Sequence, residues 1–273
     1  MARSYLDHAS TSPTRAAAVA AVADWFAGDG ADPGRIHAEG MASRAALEHA
    51  REQVATLVGA RPREVVFTSG ATESIAAASH GARWRDPARQ RIVLCAVEHS
   101  AVRDLARRGP CAEVGVDRLG RVDPDELLAA VDGTTALVHL QWGNHEVGTT
   151  QPVREVVEAC RDRGVLVHVD AAQAGGRAPI DFTELGADLV SVSGHKFGAP
   201  PGTGALLVRR GLRLEPLLLG GDQERARRAG MENVPSLLGL GAAAEELAGT
   251  WGDEAERQRA LTHRVVDWAD GAD

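Results

Sequence analysis

Lysine is almost absent from this sequence. Lys and Arg together number 30, yet Lys196 is the single lysine and every other residue of that set is arginine. Either residue keeps a surface charge hydrated, so a general preference for arginine does not explain the one position that stays lysine. Lysine forms a Schiff base with an aldehyde once its pKa is lowered, whereas arginine stays protonated. A single lysine can also remain by chance, so the neighbouring residues must decide between a chemical role and chance.

Other shortages exclude whole classes of protein. Aromatic residues make up only 4% of the chain, so the core must be built mostly from Ala, Val and Leu. The formal net charge of −8 argues against nucleic-acid binding. No apolar run approaches the length of a membrane span, and the N-terminus carries no signal-peptide pattern. We therefore expect a cytoplasmic protein with no membrane contact.

The three cysteines are few, odd in number and widely spaced. They form no CxxC pair, so neither a zinc site nor a disulfide framework is expected, and we predict no metal. Cys95 ends an apolar, strand-like run and Cys160 lies on a predicted helix, which favours structural roles for both. Cys111 follows Gly109-Pro110 in a predicted loop and is expected to be exposed.

Short β-rich runs alternate with helical stretches along the chain. This alternation predicts an α/β fold with a mostly parallel seven-stranded sheet covered by helices on both faces. The predicted strands are Glu64–Phe67, Arg91–Cys95, Ala112–Val116, Ala136–Leu140, Val165–Val169, Leu189–Ser193 and Gly204–Val208. The predicted helices are Thr14–Ala27, Ala42–Val58, Ala71–Ala82, Ala101–Arg107, Asp125–Val131, Val153–Arg163 and Ser236–Gly249.

The end of the sequence predicts one more helix with nothing after it. Residues 253–273 are rich in charge and contain a helix-stop glycine but no further element. We therefore expect an N-terminal arm at 1–15, a large domain at 16–252, and a connecting helix at 253–273 that leads toward an absent small domain.

Several predicted strands are followed by chemically suited residues, where open α/β sheets bind ligands. The run 68–74 opens a helix and suits a phosphate, although it is also an ordinary helix cap. His99 and His145 follow two other strands. Asp170 ends a strand, where it could hold a pyridinium nitrogen protonated or simply cap the next turn. Lys196 follows a fourth strand. A phosphate-type run, an aspartate and a lysine, each at the end of a different strand, together indicate a ligand site far more specifically than any one of them does alone.

These segments together resemble class V pyridoxal-phosphate (PLP)-dependent transferases, specifically cysteine desulfurases of the iron–sulfur and tRNA-thiolation type. The matching segments run in the same order through nearly the whole chain: Tyr5–Thr11, Glu64–Ser74, Glu98–His99, Asn144–Gly148, His168–Gln173, Ser191–Lys196 and Gly220–Arg225. The resemblance implies the large domain of a fold-type-I PLP enzyme and a homodimer.

The resemblance also implies a role for each matching residue. Lys196 would bind the cofactor covalently and move the substrate's α-proton, and His99 would stack on the ring and assist that transfer. Asp170 would pair with the pyridinium nitrogen, and Gln173 would bond to the ring hydroxyl. The phosphate would be held by Ala71, Thr72, Ser193 and His195. His145 would also bind the cofactor, at a position that contacts the substrate or the ring hydroxyl.

Four features depart from the family's pattern. His145 stands where the family usually has Asn, which a histidine donor can replace. Ala31-Asp32-Pro33 replaces Gly-Asn-Pro. Gly230-Met231 replaces a Gly-Thr whose hydroxyl bonds to the phosphate of the neighbouring subunit. The fourth is the small domain, which carries the family's catalytic cysteine and a substrate-binding arginine, and no cysteine here matches that nucleophile.

The implied activity is conversion of L-cysteine to L-alanine with sulfur passed to a thiol as a persulfide, for iron–sulfur cluster or thio-cofactor biosynthesis. The missing thiol would come from a sulfur-acceptor protein, a partner polypeptide or residues absent from this version. One alternative is another class V lyase or aminotransferase acting on a different amino acid. A second is a non-catalytic, PLP-binding subunit that scaffolds a sulfur-transfer complex. The intact site residues and local motifs favour the desulfurase.

Overall fold

The computed structural model describes residues 4–271, and they form one seven-stranded sheet flanked by helices. The strands are β1 (Val65–Thr68), β2 (Arg91–Cys95), β3 (Cys111–Val114), β4 (Thr135–Gln141), β5 (Leu166–Asp170), β6 (Leu189–Ser193) and β7 (Gly204–Val208). The helices are α1 (Ala16–Ala27), α2 (Ala38–Leu57), α3 (Ala71–Arg85), α4 (Ser100–Ala106), α5 (Pro124–Ala129), α6 (Val153–Asp162), α7 (Phe182–Leu185), α8 (Gln223–Ala226), α9 (Val234–Ala248) and α10 (Trp251–Asp270).

The order of the strands across the sheet is β1-β7-β6-β5-β4-β2-β3. Only β7 runs antiparallel to its neighbours β1 and β6, so all other strands point the same way. The carboxyl ends of β1, β2, β4, β5 and β6 therefore meet at one edge. The predicted α/β fold with a mostly parallel seven-stranded sheet is confirmed.

The two faces of the sheet bury alternate residues of each strand. In β4, Val138 and Leu140 belong to the large core cluster that also contains residues of α2, α6 and α9, whereas Leu137 packs toward α3. The α3 face also holds the polar residues His139, His168 and Asp170, which share the strand parity of the residues packed there. This face is the one that carries the chemistry.

Local details of three elements differ from the sequence prediction. Helix α5 begins one residue earlier than predicted, because the Asp123 side chain accepts from the backbone N–H of Asp125 and Pro124 occupies the first helical position. Cys111 is exposed as expected, but it is the first residue of β3 and not part of a loop. The short helices α7 and α8 have no counterpart among the predicted helices, since four residues are too few to show a helical period.

A buried ion pair fixes the loop that contains α8 against the sheet. Arg51 and Glu224 join through two bonds of 2.6 and 2.7 Å, and both side chains are almost fully buried. Glu224 also accepts from the backbone N–H of Phe67 in β1. Glu224, Arg225 and Ala226 all have positive φ, so the ion pair holds a stretch of left-handed backbone that non-glycine residues disfavour.

Candidate active site

A cavity of about 620 Å³ opens at the carboxyl edge of the strands. Its lining includes all nine residues that the sequence predicts for the site, which are Ala71, Thr72, His99, His145, Asp170, Gln173, Ser193, His195 and Lys196. They come from five separate stretches of the chain. The topology therefore brings together the residues that the sequence singled out one strand at a time.

One corner of the cavity is shaped for an anion. Gly70 precedes α3 with φ +146°, and its side-chain-free position leaves the first amides of the helix without a side-chain cap. Gly204 pairs with both Thr68 and Ser193, and a Cβ on it would come within 2.7 Å of the Gly70 Cα. This close approach brings Ser193 beside the helix N-terminus, where backbone N–H groups and the helix dipole favour negative charge.

Asp170 lies at the end of β5 and is buried. Its Oδ1 accepts from the backbone N–H of Ala172 and from the Ser191 hydroxyl, each at 3.0 Å. Burial raises the pKa of the carboxyl, while these two donors and the nearby His99 and Lys196 oppose the rise. Within the described residues nothing donates to Oδ2, so the cavity can supply its partner.

Lys196 sits in the single-turn helix that follows β6 and is half-buried. Its Nζ donates to the backbone carbonyls of Ala9 at 2.6 Å and Ser10 at 2.9 Å. Burial lowers the pKa of the amine, and the Arg177 guanidinium lowers it further. A lowered pKa increases the fraction of neutral amine, the form that attacks an aldehyde or takes a proton.

Gln173 is bound on both ends by its neighbours. Its Nε2 donates to the Ala9 carbonyl at 2.9 Å, and its Oε1 accepts from Arg177 Nη1 at 3.1 Å. Arg177 also donates to the His8 and Lys196 carbonyls. Nε2 keeps a second N–H and Oε1 a second lone pair, so Gln173 can bond to a further partner in the cavity without breaking either of these bonds.

Two imidazoles face each other at the mouth of the cavity. The His99 and His145 ring centroids lie 5.9 Å apart at an interplanar angle of 55°. His99 Nδ1 accepts from the backbone N–H of Ala101 at 3.1 Å, so a neutral His99 carries its proton on Nε2. The ring is thereby oriented by the first turn of α4.

Sequence reasoning missed three contributors to the site. Arg177 braces Gln173 and the N-terminal segment, Ser191 supports Asp170, and Gln141 lines the cavity at the end of β4. Ser191 and Gln141 could have been found, because each pairs with Asp170 across neighbouring strands and so lies on the same sheet face. Arg177 is one of many arginines and carries no such signal.

None of the three cysteines, all within the described chain, lines the cavity. Cys95 and Cys160 are buried, and desolvation raises the pKa of their thiols to about 12 and about 11. Cys111 is exposed, but it begins the edge strand β3 at the end of the sheet away from the cavity. Met231 is exposed as well and does not line the cavity.

Residues 4–271 contain no group of three or more His, Cys, Asp or Glu side chains arranged to bind a metal ion. None of their helices combines the length and apolar character that crossing a bilayer requires.

The model of the class-V aminotransferase family matches residues 4–268. The chain belongs to the class-V aminotransferase family. Enzymes of this family use pyridoxal phosphate as their cofactor. The resemblance drawn from the sequence motifs is thereby confirmed.

Individual relatives narrow the comparison. The chain is 42% identical to a cysteine desulfurase of Nostoc sp. over 246 residues, which cover 88% of this chain and 62% of the relative. A solved NifS-like protein superimposes with a TM-score of 0.94 at 32% identity, covering 97% of this chain and 75% of that one. SspA in complex with cysteine has a TM-score of 0.85 at 30% identity, covering 89% and 72%. The chain thus spans about three fifths of the length of the first curated relatives that it matches.

Proposed function

We propose that this chain is the PLP-binding large domain of a cysteine desulfurase. The observation that carries the proposal is the position of Lys196, the one lysine of the sequence, in a cavity shared with buried Asp170 and the N-terminus of α3, which has no side-chain cap. The cysteine desulfurase of Nostoc sp. and the cysteine complex of SspA support L-cysteine as the substrate. The class V lyase, aminotransferase and scaffold alternatives have no comparable support.

The residues of the cavity fit pyridoxal phosphate. The uncapped amides at Ala71 and Thr72, with Ser193 and His195, would hold the phosphate. Asp170 Oδ2, free of a donor from the described residues, would accept from the ring nitrogen. Gln173 would bond to the ring hydroxyl, and His145 would contact the ring or substrate. Lys196 would hold the aldehyde carbon.

When bound, the protonated cofactor ring withdraws electrons from the α-carbon of the substrate. The protein's own part is to hold and move protons. Asp170 keeps the ring nitrogen charged because its carboxylate lies in a buried site with two fixed donors. Lys196 takes the α-proton with an amine whose pKa is lowered, and His99 assists through its Nε2.

The sulfur step balances only with a thiol acceptor. The Cβ–S bond of L-cysteine breaks, an S–S bond forms to the acceptor, and Cβ gains a proton to give L-alanine and a persulfide. Burial of Cys95 and Cys160, and the place of Cys111 away from the cavity, argue against an acceptor among the cysteines of this chain. We assign that thiol to a sulfur-acceptor protein or to a partner polypeptide.

The proposal extends to the domain organisation, the oligomeric state and the pathway of the protein. Residues 16–252 would form the PLP-binding domain behind an arm at 1–15, and residues from 253 would lead toward a small domain. The enzyme would act as a homodimer in the cytoplasm and would serve iron–sulfur cluster or thio-cofactor biosynthesis. Relatives named cysteine desulfurase IscS, such as that of Methanosarcina thermophila, support this branch of the family.

The direct test measures alanine released from L-cysteine by the purified chain with pyridoxal phosphate and an external thiol such as dithiothreitol. We expect Lys196→Ala and Lys196→Arg to lose both the visible absorbance of bound cofactor and alanine release. The arginine variant is the sharper control, because it keeps the positive charge but cannot form a covalent bond to the aldehyde. Asp170→Asn should bind cofactor and lose at least about tenfold in rate, since a neutral amide stabilises the charged ring less.

Two results would contradict the proposal. A folded wild-type chain that takes up no pyridoxal phosphate would refute the cofactor site. A loaded chain that releases alanine equally well with Lys196→Arg would refute the role of the lysine.

A further inference from the structure

Glu98 is a buried acid that the proposed chemistry does not use. It lies in the turn between β2 and α4, directly before His99, and its residue is 3% exposed. Its Oε1 accepts from the backbone N–H of Gln141 at the end of β4. Its Oε2 is buried and has no hydrogen-bond partner among residues 4–271.

The contact with Gln141 is reciprocal. The Gln141 side chain donates to the Val97 carbonyl at 2.7 Å, and the Asn144 amide donates to the same carbonyl at 3.3 Å. These three bonds, which we call the 98/141 clasp, join the turn after β2 to the loop after β4. Each loop carries one imidazole of the cavity, His99 or His145, one residue away from a clasp residue.

The surroundings of Glu98 decide its charge. Asp170 lies close enough for the two carboxyls to repel each other in a buried site, where two like charges are not held together. Asp170 has two donors on Oδ1, and His99 and Lys196 lie nearby and favour its charged form. Glu98 has one backbone donor and one oxygen with none. A buried carboxylate with an unpaired oxygen costs far more than a neutral carboxylic acid in the same place.

We propose that Glu98 is a positioning residue that stays protonated at neutral pH and, through the 98/141 clasp, fixes the His99 imidazole over the cavity. The role of His99 toward the cofactor rests on the proposed function, whereas the clasp and the proton on Glu98 do not. Because Glu98 remains neutral, the single negative charge of this buried pair belongs to Asp170.

The proton on Glu98 can be detected directly. The infrared difference spectrum of wild-type protein minus Glu98→Gln, recorded at neutral pH without cofactor, should contain the carbonyl band of a protonated carboxylic acid. A difference spectrum that shows only carboxylate bands would overturn the proposal. Neither outcome depends on whether the chain is a desulfurase.

The clasp is tested by comparing a conservative with a disruptive change. Glu98→Gln keeps an oxygen for the Gln141 N–H and is neutral, so it should preserve the His99 ring ¹⁵N chemical shifts in NMR spectra of the unloaded protein and keep cofactor affinity within about twofold. Glu98→Leu removes the acceptor and should shift the His99 signals and weaken cofactor binding by about tenfold, the value of one lost hydrogen bond of this kind. Equal damage by both variants would show that a charge is needed and would refute a neutral Glu98.

A third variant keeps the test valid if Glu98→Leu does not fold. Gln141→Met retains the backbone N–H that Glu98 accepts and removes only the donor to Val97. It should move the His99 signals in the same direction as Glu98→Leu, by a smaller amount. Unchanged His99 signals in Gln141→Met would show that the clasp does not position the imidazole.

Discussion

At the scale of single residues, two histidines lie buried side by side beneath the cavity. His139 and His168, on β4 and β5, bond to each other through their Nδ1 atoms at 2.9 Å, and His139 Nε2 meets the Ser79 hydroxyl at 2.8 Å. Burial lowers the pKa of His168 to about 3 and that of His139 well below its ordinary value. Both rings are therefore neutral in the folded protein at any pH near neutrality.

This pair should make the fold sensitive to acid. A histidine with a depressed folded pKa adds stability that is fully present above its unfolded pKa of about 6.5 and is lost as the pH falls toward the folded value. Each such histidine costs about 1.4 kcal/mol per pH unit below about 6.5. We expect His168→Asn to reduce by about one proton the slope of unfolding free energy against pH between pH 6 and pH 4, measured by urea denaturation.

The matched control is His49→Asn on α2, whose side chain is 67% exposed. It should leave the slope unchanged. The buried acids Glu98 and Asp170 act in the opposite sense, because a raised pKa adds stability that is lost as the pH rises, but they are common to all three proteins and cancel in the comparison. A slope that is the same in His168→Asn and wild type would contradict the prediction.

At the scale of elements, the segment Glu224–Ala226 combines left-handed backbone with residues that disfavour it. The Arg51–Glu224 ion pair offsets this cost, and only Glu224 of the three is buried. Ala226 has φ +59° and an exposed side chain. Glycine adopts this conformation without the steric penalty of a Cβ, so we expect Ala226→Gly to stabilise the protein by about 1 kcal/mol in urea denaturation.

The same substitution elsewhere should have the opposite sign. Ala20 is exposed in the middle of α1, where glycine costs about 1 kcal/mol relative to alanine. Destabilisation by both variants would mean that the Ala226 backbone is not left-handed in solution.

The sequence predicts elements well where a repeating pattern exists. All seven strands fall within two residues of their predicted bounds, because buried strands form short apolar runs between turns. The conformation of residues 223–226 could not be predicted in this way, because it is imposed by an ion pair with Arg51, which is far away in sequence. The nine predicted site residues lie together because the carboxyl ends of strands share one edge. Arg177 also reaches the His8 carbonyl, a contact distant in sequence that no local pattern encodes.

At the scale of the whole molecule, Arg15 connects three parts of the chain. Its backbone N–H and its Nε donate to Gly198 and Phe197, just after Lys196. Its guanidinium also pairs with Glu246 of α9 at 2.8 Å and with Glu254 of α10 at 2.9 Å. The side chain is only 16% exposed, so these contacts are more strongly held than those of a surface ion pair.

Loss of the Arg15 side chain should therefore loosen both the segment after Lys196 and the contact with α9 and α10. We expect Arg15→Ala to cost about 2 kcal/mol in unfolding free energy, because hydrogen bonds to a charged group contribute about 1.5–3 kcal/mol and the two glutamates remain partly solvated. Hydrogen exchange should become faster in the first turns of α10 and in residues 195–198, two regions that are far apart in sequence. Arg154→Ala, which removes an exposed pair with Glu184, should change stability by less than about 1 kcal/mol and leave both regions unchanged. Faster exchange in α10 alone would show that Arg15 only fastens that helix, whereas faster exchange in both would show that the helix and the lysine segment are held by one residue.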